Sequence, residues 1–147
     1  MQLNPRCPVF VLEASSRSLL GEIFGIFLQK TQFDDTRGPE WLENTVCNMQ
    51  QEQNFLAGVP RMVELAGRTQ EHLDRTLRKY YGMSPREFVL ELKLNYVASL
   101  ITLHGVPITR AITRAGFNNF SYFRRCFSQR FGMSPREYRQ FYIAPKF

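Results

Sequence analysis

"RTQEHLDRTLRKYYGMSPRE" (Arg68–Glu87) is answered fifty residues later by "NNFSYFRRCFSQRFGMSPRE" (Asn118–Glu137). Each copy opens on a residue able to cap a helix, Thr69 or Asn119. Apolar groups then recur at helical spacing: Leu73, Leu77 and Tyr80 or Tyr81 in the first copy, Phe123, Phe127 and Phe131 in the second. Gly82 and Gly132 stand where a left-handed residue closes a helix. Ser84 suits an N-cap, Pro85 the first helical position and Glu87 the third, and Ser134, Pro135 and Glu137 repeat the arrangement. The shared letters "GMSPRE" therefore read as punctuation that stops one helix and starts another.

The likeness extends along both copies. Arg75 matches Arg125, and Phe88 matches Tyr138. Upstream, a short helix near Pro60–Ala66 ends at Gly67, and another near Ile108–Ala115 ends at Gly116, with Asn118 or Asn119 capping the next helix. Between the units, Pro85–Leu103 carries one stripe of Leu90, Leu94, Val97 and Ile101 and another of Leu92, Tyr96, Leu100 and Leu103. A helix apolar on two sides is buried on two sides, as a connector packed between two subdomains would be. His104-Gly105 and Pro107 end it. Ahead of the first unit, "PEWLENTVCNMQQEQ" places Trp41, Leu42, Thr45, Val46 and Met49 on one helical face. Val9–Lys30 reads as one or two amphipathic helices, and "FDDTRGP" (Phe33–Pro39) as a linker.

The expected fold is all-α: two helix-turn-helix subdomains, homeodomain-like units, joined by a long linker helix. Residues 1–38 form a separate helical segment plus linker. The first unit spans about 39–84, the linker helix about 85–104 and the second unit about 105–142, within a domain covering 39–147.

Charge divides the chain. Residues 1–57 carry four basic and seven acidic groups, whereas residues 58–147 carry 15 basic and six acidic groups, a net of +9. Such a basic region points to a polyanionic partner, nucleic acid first and an anionic membrane surface second. The two units also differ: residues 58–104 have a net charge of +2 and residues 105–147 of +7. Attraction to phosphate is expected mostly from the second unit.

A short helix, a turn and a longer helix with a polar face make the helix-turn-helix plan, whose second helix enters the major groove. Arginine can pair bidentately with guanine, and a carboxylate can accept from cytosine. The base-reading candidates are Gln70, Glu71, Asp74 and Arg75 in the first unit and Phe120, Ser121, Arg124 and Arg125 in the second. Phe120 has two readings, contact with a thymine methyl or a cover over the turn. The phosphate candidates are Arg78, Arg130, and the capped helix starts at Thr69, Asn118, Asn119 and Ser134. Arg86 and Arg136 have a structural role first.

Other chemistries find little support. His72 and His104 are isolated and read as surface or capping residues, and no phosphate loop or zinc-ligand spacing occurs. No catalytic residue, metal or cofactor is expected. Cys7, Cys47 and Cys126 are widely spaced and odd in number, which supports no disulfide framework; Cys126 reads as a buried thiol, which implies a reducing, cytoplasmic compartment. No apolar run approaches a membrane span. The alternative reading is a basic helical module that binds anionic membranes or acidic proteins without reading DNA sequence.

"AGFNNFSYFRRCFSQRFGMSPREYR" (Ala115–Arg139) resembles the C-terminal signature of AraC-type transcription regulators. Gly116-Phe117, Phe123, Arg125, Phe127, Gly132, Ser134-Pro135 and Tyr138-Arg139 carry the likeness, which extends over about Pro39–Tyr142. It implies two helix-turn-helix units on successive major-groove segments of a double-stranded operator, with RNA polymerase as a further partner. Ala111-Ile112 departs from the family, which usually has a bulky residue followed by Ala. Glu71 and Asp74 are more acidic than many members show. Members usually carry an N-terminal sensing domain of β-barrel type. Residues 1–38 cannot hold one and look like its helical tail, so an effector sugar is expected only through a missing domain. "PEWLENTVCNMQ" with "AGRTQEHLDRTLRKYYGMSP" is similar to regulators of chitobiose operons, which implies control of sugar-utilisation genes, often as a repressor.

Overall fold

The structure, a computed structural model, describes residues 38–143. The expected N-terminal helices, most of the linker and the last four residues lie outside the described residues. Among the described residues eight helices succeed one another: α1 (Glu40–Met49), α2 (Glu52–Ala57), α3 (Val59–Ala66), α4 (Gln70–Tyr81), α5 (Pro85–Thr102), α6 (Ile108–Arg114), α7 (Phe120–Phe131) and α8 (Pro135–Ile143). No strand occurs among the described residues, in line with the all-α expectation.

Two hydrophobic cores form, one on each side of α5. Leu42, Met49, Phe55, Met62, Ala66, Leu73 and Leu77 meet the N-terminal end of α5 at Phe88 and Val89. Ala111, Ile112, Phe117, Phe123, Phe127 and Tyr138 meet its C-terminal two-thirds at Leu94, Val97, Ala98, Leu100 and Ile101. Tyr96 packs against both cores. This division explains why α5 is apolar around its circumference: different turns of one helix serve different cores. Ala111 and Ile112, where the sequence departs from the family pattern, are both buried in the second core.

The second core is an aromatic chain. Phe127 lies 5.4 Å from Phe123, 4.5 Å from Phe131 and 5.4 Å from Tyr138 between ring centroids. Fully burying one such side chain is worth roughly 1.5–3 kcal/mol. The i, i+4 phenylalanines of α7 thus hold that helix by one face and leave the other face outward.

The repeated punctuation is built as the residues dictate. Gly82 and Gly132 adopt φ of 70° and 71°, the left-handed region that costs other L-residues a Cβ clash. Each glutamate reaches back three residues: the backbone N–H of Ser84 donates to Glu87 at 2.7 Å, and that of Ser134 to Glu137 at 2.7 Å. The serine hydroxyls in turn accept from the glutamate N–H groups, both at 3.3 Å. These are two capping boxes. Receiving hydrogen bonds from Ser84 and Ser134 holds the Glu87 and Glu137 carboxyls below the usual glutamate range.

Two local expectations are corrected. The segment after Pro39 is two helices, because the chain turns at Gln50-Gln51. Asn54, buried in α2, secures the break: its Nδ2 donates at 2.7 Å to the Asn48 carbonyl, which also accepts from the Gln51 N–H at 3.2 Å, and its Oδ1 accepts from Arg61 of α3 at 3.0 Å. Leu103 does not join the second stripe of α5. The helix ends at Thr102, and Leu103 is 67% exposed. Cys126 is a buried free thiol, as its place in the apolar pattern suggested.

Candidate nucleic-acid interface

Helix α4 follows α3 across a three-residue turn, and α7 follows α6 across a longer one that begins at Ala115. Their starts are capped alike. The Thr69 hydroxyl accepts from the His72 N–H at 3.2 Å, and Asn119 Oδ1 accepts from the Tyr122 N–H at 2.9 Å. Asn119 is therefore the cap, and Asn118 is the exposed residue before it. Leu73 and Leu77 anchor α4; Phe123, Cys126 and Phe127 anchor α7.

Anchoring fixes what faces outward. Gln70, Glu71, Arg75 and Arg78 are exposed on α4, with Asp74 half-buried among them. Phe120, Ser121, Arg124, Arg125 and Ser128 are exposed on α7. With an offset of fifty these are the same five helix positions. The fold thus presents one surface pattern twice, with different chemistry on each copy.

Pairing differs as well. Arg78 Nε donates to Asp74 Oδ2 at 2.9 Å, one turn apart on α4, and this hydrogen bond raises the Arg78 pKa. On α7, Arg124 has no hydrogen-bond or ion-pair partner among the described residues, and the Arg125 guanidinium lies 5.6 Å from the Tyr122 ring centre, a cation–π contact. Arg130 is not turned outward: it is bound to Glu91 of α5, with its side chain only 21% exposed. Ser134 is engaged in its capping box.

An open cleft of about 650 Å³ borders the first unit, lined by Gln70, Glu71, Asp74, Ser84, Pro85, Arg86 and Val59. Two carboxylates on its wall make it a poor cradle for phosphate.

His72 is not isolated. Its ring packs 5.5 Å from that of Trp41, its Nδ1 lies 3.5 Å from Arg75, and the Arg68 guanidinium lies 5.6 Å from the Trp41 ring centre. Trp41, thirty-one residues upstream, braces the turn into α4; no local pattern in the sequence signals that contact. The same holds for Glu91, whose partner is 39 residues away. Among the described residues no group of three or more His, Cys, Asp or Glu could hold a metal ion, and no helix is long and apolar enough to cross a membrane.

Residues 62–140, more than half of the chain, match the model of a helix-turn-helix domain family that is AraC-type. The chain belongs to the AraC-type helix-turn-helix family. Among curated relatives it is similar to the HTH-type transcriptional regulator GadX of Escherichia coli, with 27% identity over 131 residues, 84% of this chain and 46% of GadX. It is also similar to the HTH-type transcriptional regulator ExsA of Pseudomonas aeruginosa, with 35% identity over 60 residues, 41% of this chain and 22% of ExsA. The chain spans less than half the length of both. In fold it resembles the C-terminal domain of AraT, a response regulator from Geobacillus stearothermophilus, with a TM-score of 0.63 at 19% identity, covering 76% of this chain and 93% of that one. An AraC-type helix-turn-helix domain is a DNA-binding domain of transcription regulators.

Proposed function

We propose that this AraC-type domain reads two successive major-groove segments of a double-stranded operator, α4 entering one and α7 the next. The observation that supports it most is the paired presentation of the same five helix positions between the same caps. In this reading the units are residues 39–84 and 105–142, held by the linker helix at 85–104. Arg75, Arg124 and Arg125 read bases, with Gln70, Glu71, Asp74, Phe120 and Ser121 beside them. Thr69, Asn118, Asn119 and Ser134 approach phosphate at the helix starts. Arg78 and Arg130 reach phosphate only by exchanging their carboxylate partners for it.

The charge difference between the units supports a division of labour. The α7 unit supplies most of the attraction to the backbone. The α4 unit, with Glu71 and Asp74 on its outer face, discriminates more than it attracts. Control of a sugar-utilisation operon, as a repressor acting through a sensing domain in the cytoplasm, rests on the sequence resemblance alone; the names of GadX and ExsA carry no operon class. RNA polymerase contact has the same standing.

Selection of bound sites from a random DNA pool tests the reading. Two short conserved blocks separated by about one helical turn are expected. Recovery of no motif at moderate salt, with binding to any DNA or to anionic vesicles alike, would favour the generic basic module instead.

A further inference from the structure

Three elements meet at Tyr96 of α5. Its ring stands edge-on to Phe55 of α2, with centroids 5.3 Å apart. Its hydroxyl donates to Oε1 of Glu52, the first residue of α2. The same oxygen lies 3.6 Å from Nη2 of Arg114, the last residue of α6, and the Arg114 guanidinium sits 6.0 Å from the Tyr96 ring centre. Glu52 belongs to the first unit, Arg114 to the second, and Tyr96 to the helix between them. Of the ion pairs among the described residues, Glu52–Arg114 is the one that joins the two units directly.

The position of this cluster matters more than its strength. The two cores each hold a unit on different turns of α5, and the Glu52–Arg114 pair adds a direct tie between the units. Arg114 closes α6 immediately before the turn that mounts α7. A small rotation at Arg114 is therefore carried out to the exposed face of α7. Successive major-groove segments recur about every 34–36 Å along DNA, so the orientation of α7 relative to α4 decides which segments can be read together.

We propose that Glu52, Tyr96 and Arg114 are positioning residues, a polar strut that sets the rotation of the second unit about α5 and hence the spacing between the two DNA segments recognised together. This rests on the reading that α4 and α7 each occupy a groove. None of the three residues lies on either exposed reading face. The Glu52 and Arg114 side chains are 47% and 54% exposed, so their replacement leaves both cores intact.

The test uses the full chain and three DNAs derived from the selected site: the bipartite site, the site with its second block scrambled, and sites with one base pair added or removed between the blocks. Glu52→Gln, Arg114→Gln and Tyr96→Phe are each expected to weaken binding to the bipartite site by about 2- to 5-fold, the scale of a partly exposed pair. Binding to the single-block site is expected to be unchanged, and the penalty for altered spacing to shrink. The double exchange Glu52→Arg with Arg114→Glu is expected to restore the spacing penalty. Thermal melting of each variant reports that the fold is retained. Well-folded variants that keep the wild-type spacing penalty would overturn the strut. A wild-type chain that binds bipartite and single-block sites equally would instead overturn the two-groove reading on which the strut rests.

Discussion

Arg78 and Asp74 form an ion pair on the outer face of α4, 2.9 Å apart, while Arg124, at the position on α7 that corresponds to Asp74, has no such partner among the described residues. The equivalent helix position thus bears a carboxylate in one unit and a guanidinium in the other. An exposed Asp–Arg pair one turn apart adds little to the stability of a helix. Its larger effect is on what the surface offers to a polyanion.

Replacing Asp74 with Asn releases Arg78 and removes a negative charge from the face of α4. Binding to random-sequence DNA is expected to tighten, and the slope of log affinity against log salt to steepen by about one contact's worth. Salt titrations of both proteins measure this. If Asp74 instead accepts from a cytosine, the loss will fall on one base pair of the selected site and random DNA will bind as before.

Arg124 and Arg125 are adjacent on α7, both exposed, and differ in support: Arg125 is held over Tyr122. Alanine at either position is expected to cost about 1–3 kcal/mol on the selected site, with discrimination relaxed at one base pair. Competition assays against single-base variants report this directly. A loss of equal size on every sequence would assign the residue to phosphate.

Gly82 and Gly132 end α4 and α7 at φ of 70° and 71°, with open space where a Cβ would project. Gly132→Ala therefore introduces backbone strain without a clash, and about 1–2 kcal/mol of stability is expected to go. Gly132→Asn should lose less, since Asn tolerates the left-handed region. Chemical denaturation compares the two, and an alanine variant as stable as wild type would contradict the assignment of this turn.

Glu87 and Glu137 have folded-state pKa values lowered by hydrogen bonds from Ser84 and Ser134. The sign comes from linkage: each carboxylate binds its proton more weakly folded than unfolded. Their contribution is present above the unfolded glutamate pKa, about 4.3, and is lost as pH falls through the lowered folded values. Stability should fall with acidification in that window, and Glu87→Gln with Glu137→Gln should flatten the fall while keeping much of the cap, because Gln also fits the box. Melting temperature against pH for both proteins is the measurement.

Much of the fold was legible because its signals are local. Capping residues, glycine stops and i, i+4 apolar spacing act within a few residues, and the fifty-residue repeat set the register of α4 against α7. The break at Gln50-Gln51 was not legible, since it is secured by Asn54 reaching the Asn48 carbonyl and by Arg61 arriving from the next helix. The exposure of Leu103 was missed for a related reason: helical spacing places a residue on a face but does not say where the helix stops.

The outward placement of Gln70, Glu71, Arg75, Arg124 and Arg125 was set by the sequence alone, because burying Leu73, Leu77, Phe123 and Phe127 leaves those side chains no other side of the helix. Which arginines stay available was decided only by the tertiary structure. Glu91 meets Arg130 and Glu52 meets Arg114 across helices distant in sequence. Ion pairs of that kind need two backbones brought within a side chain's reach, and only the packing of the cores against α5 brings them there.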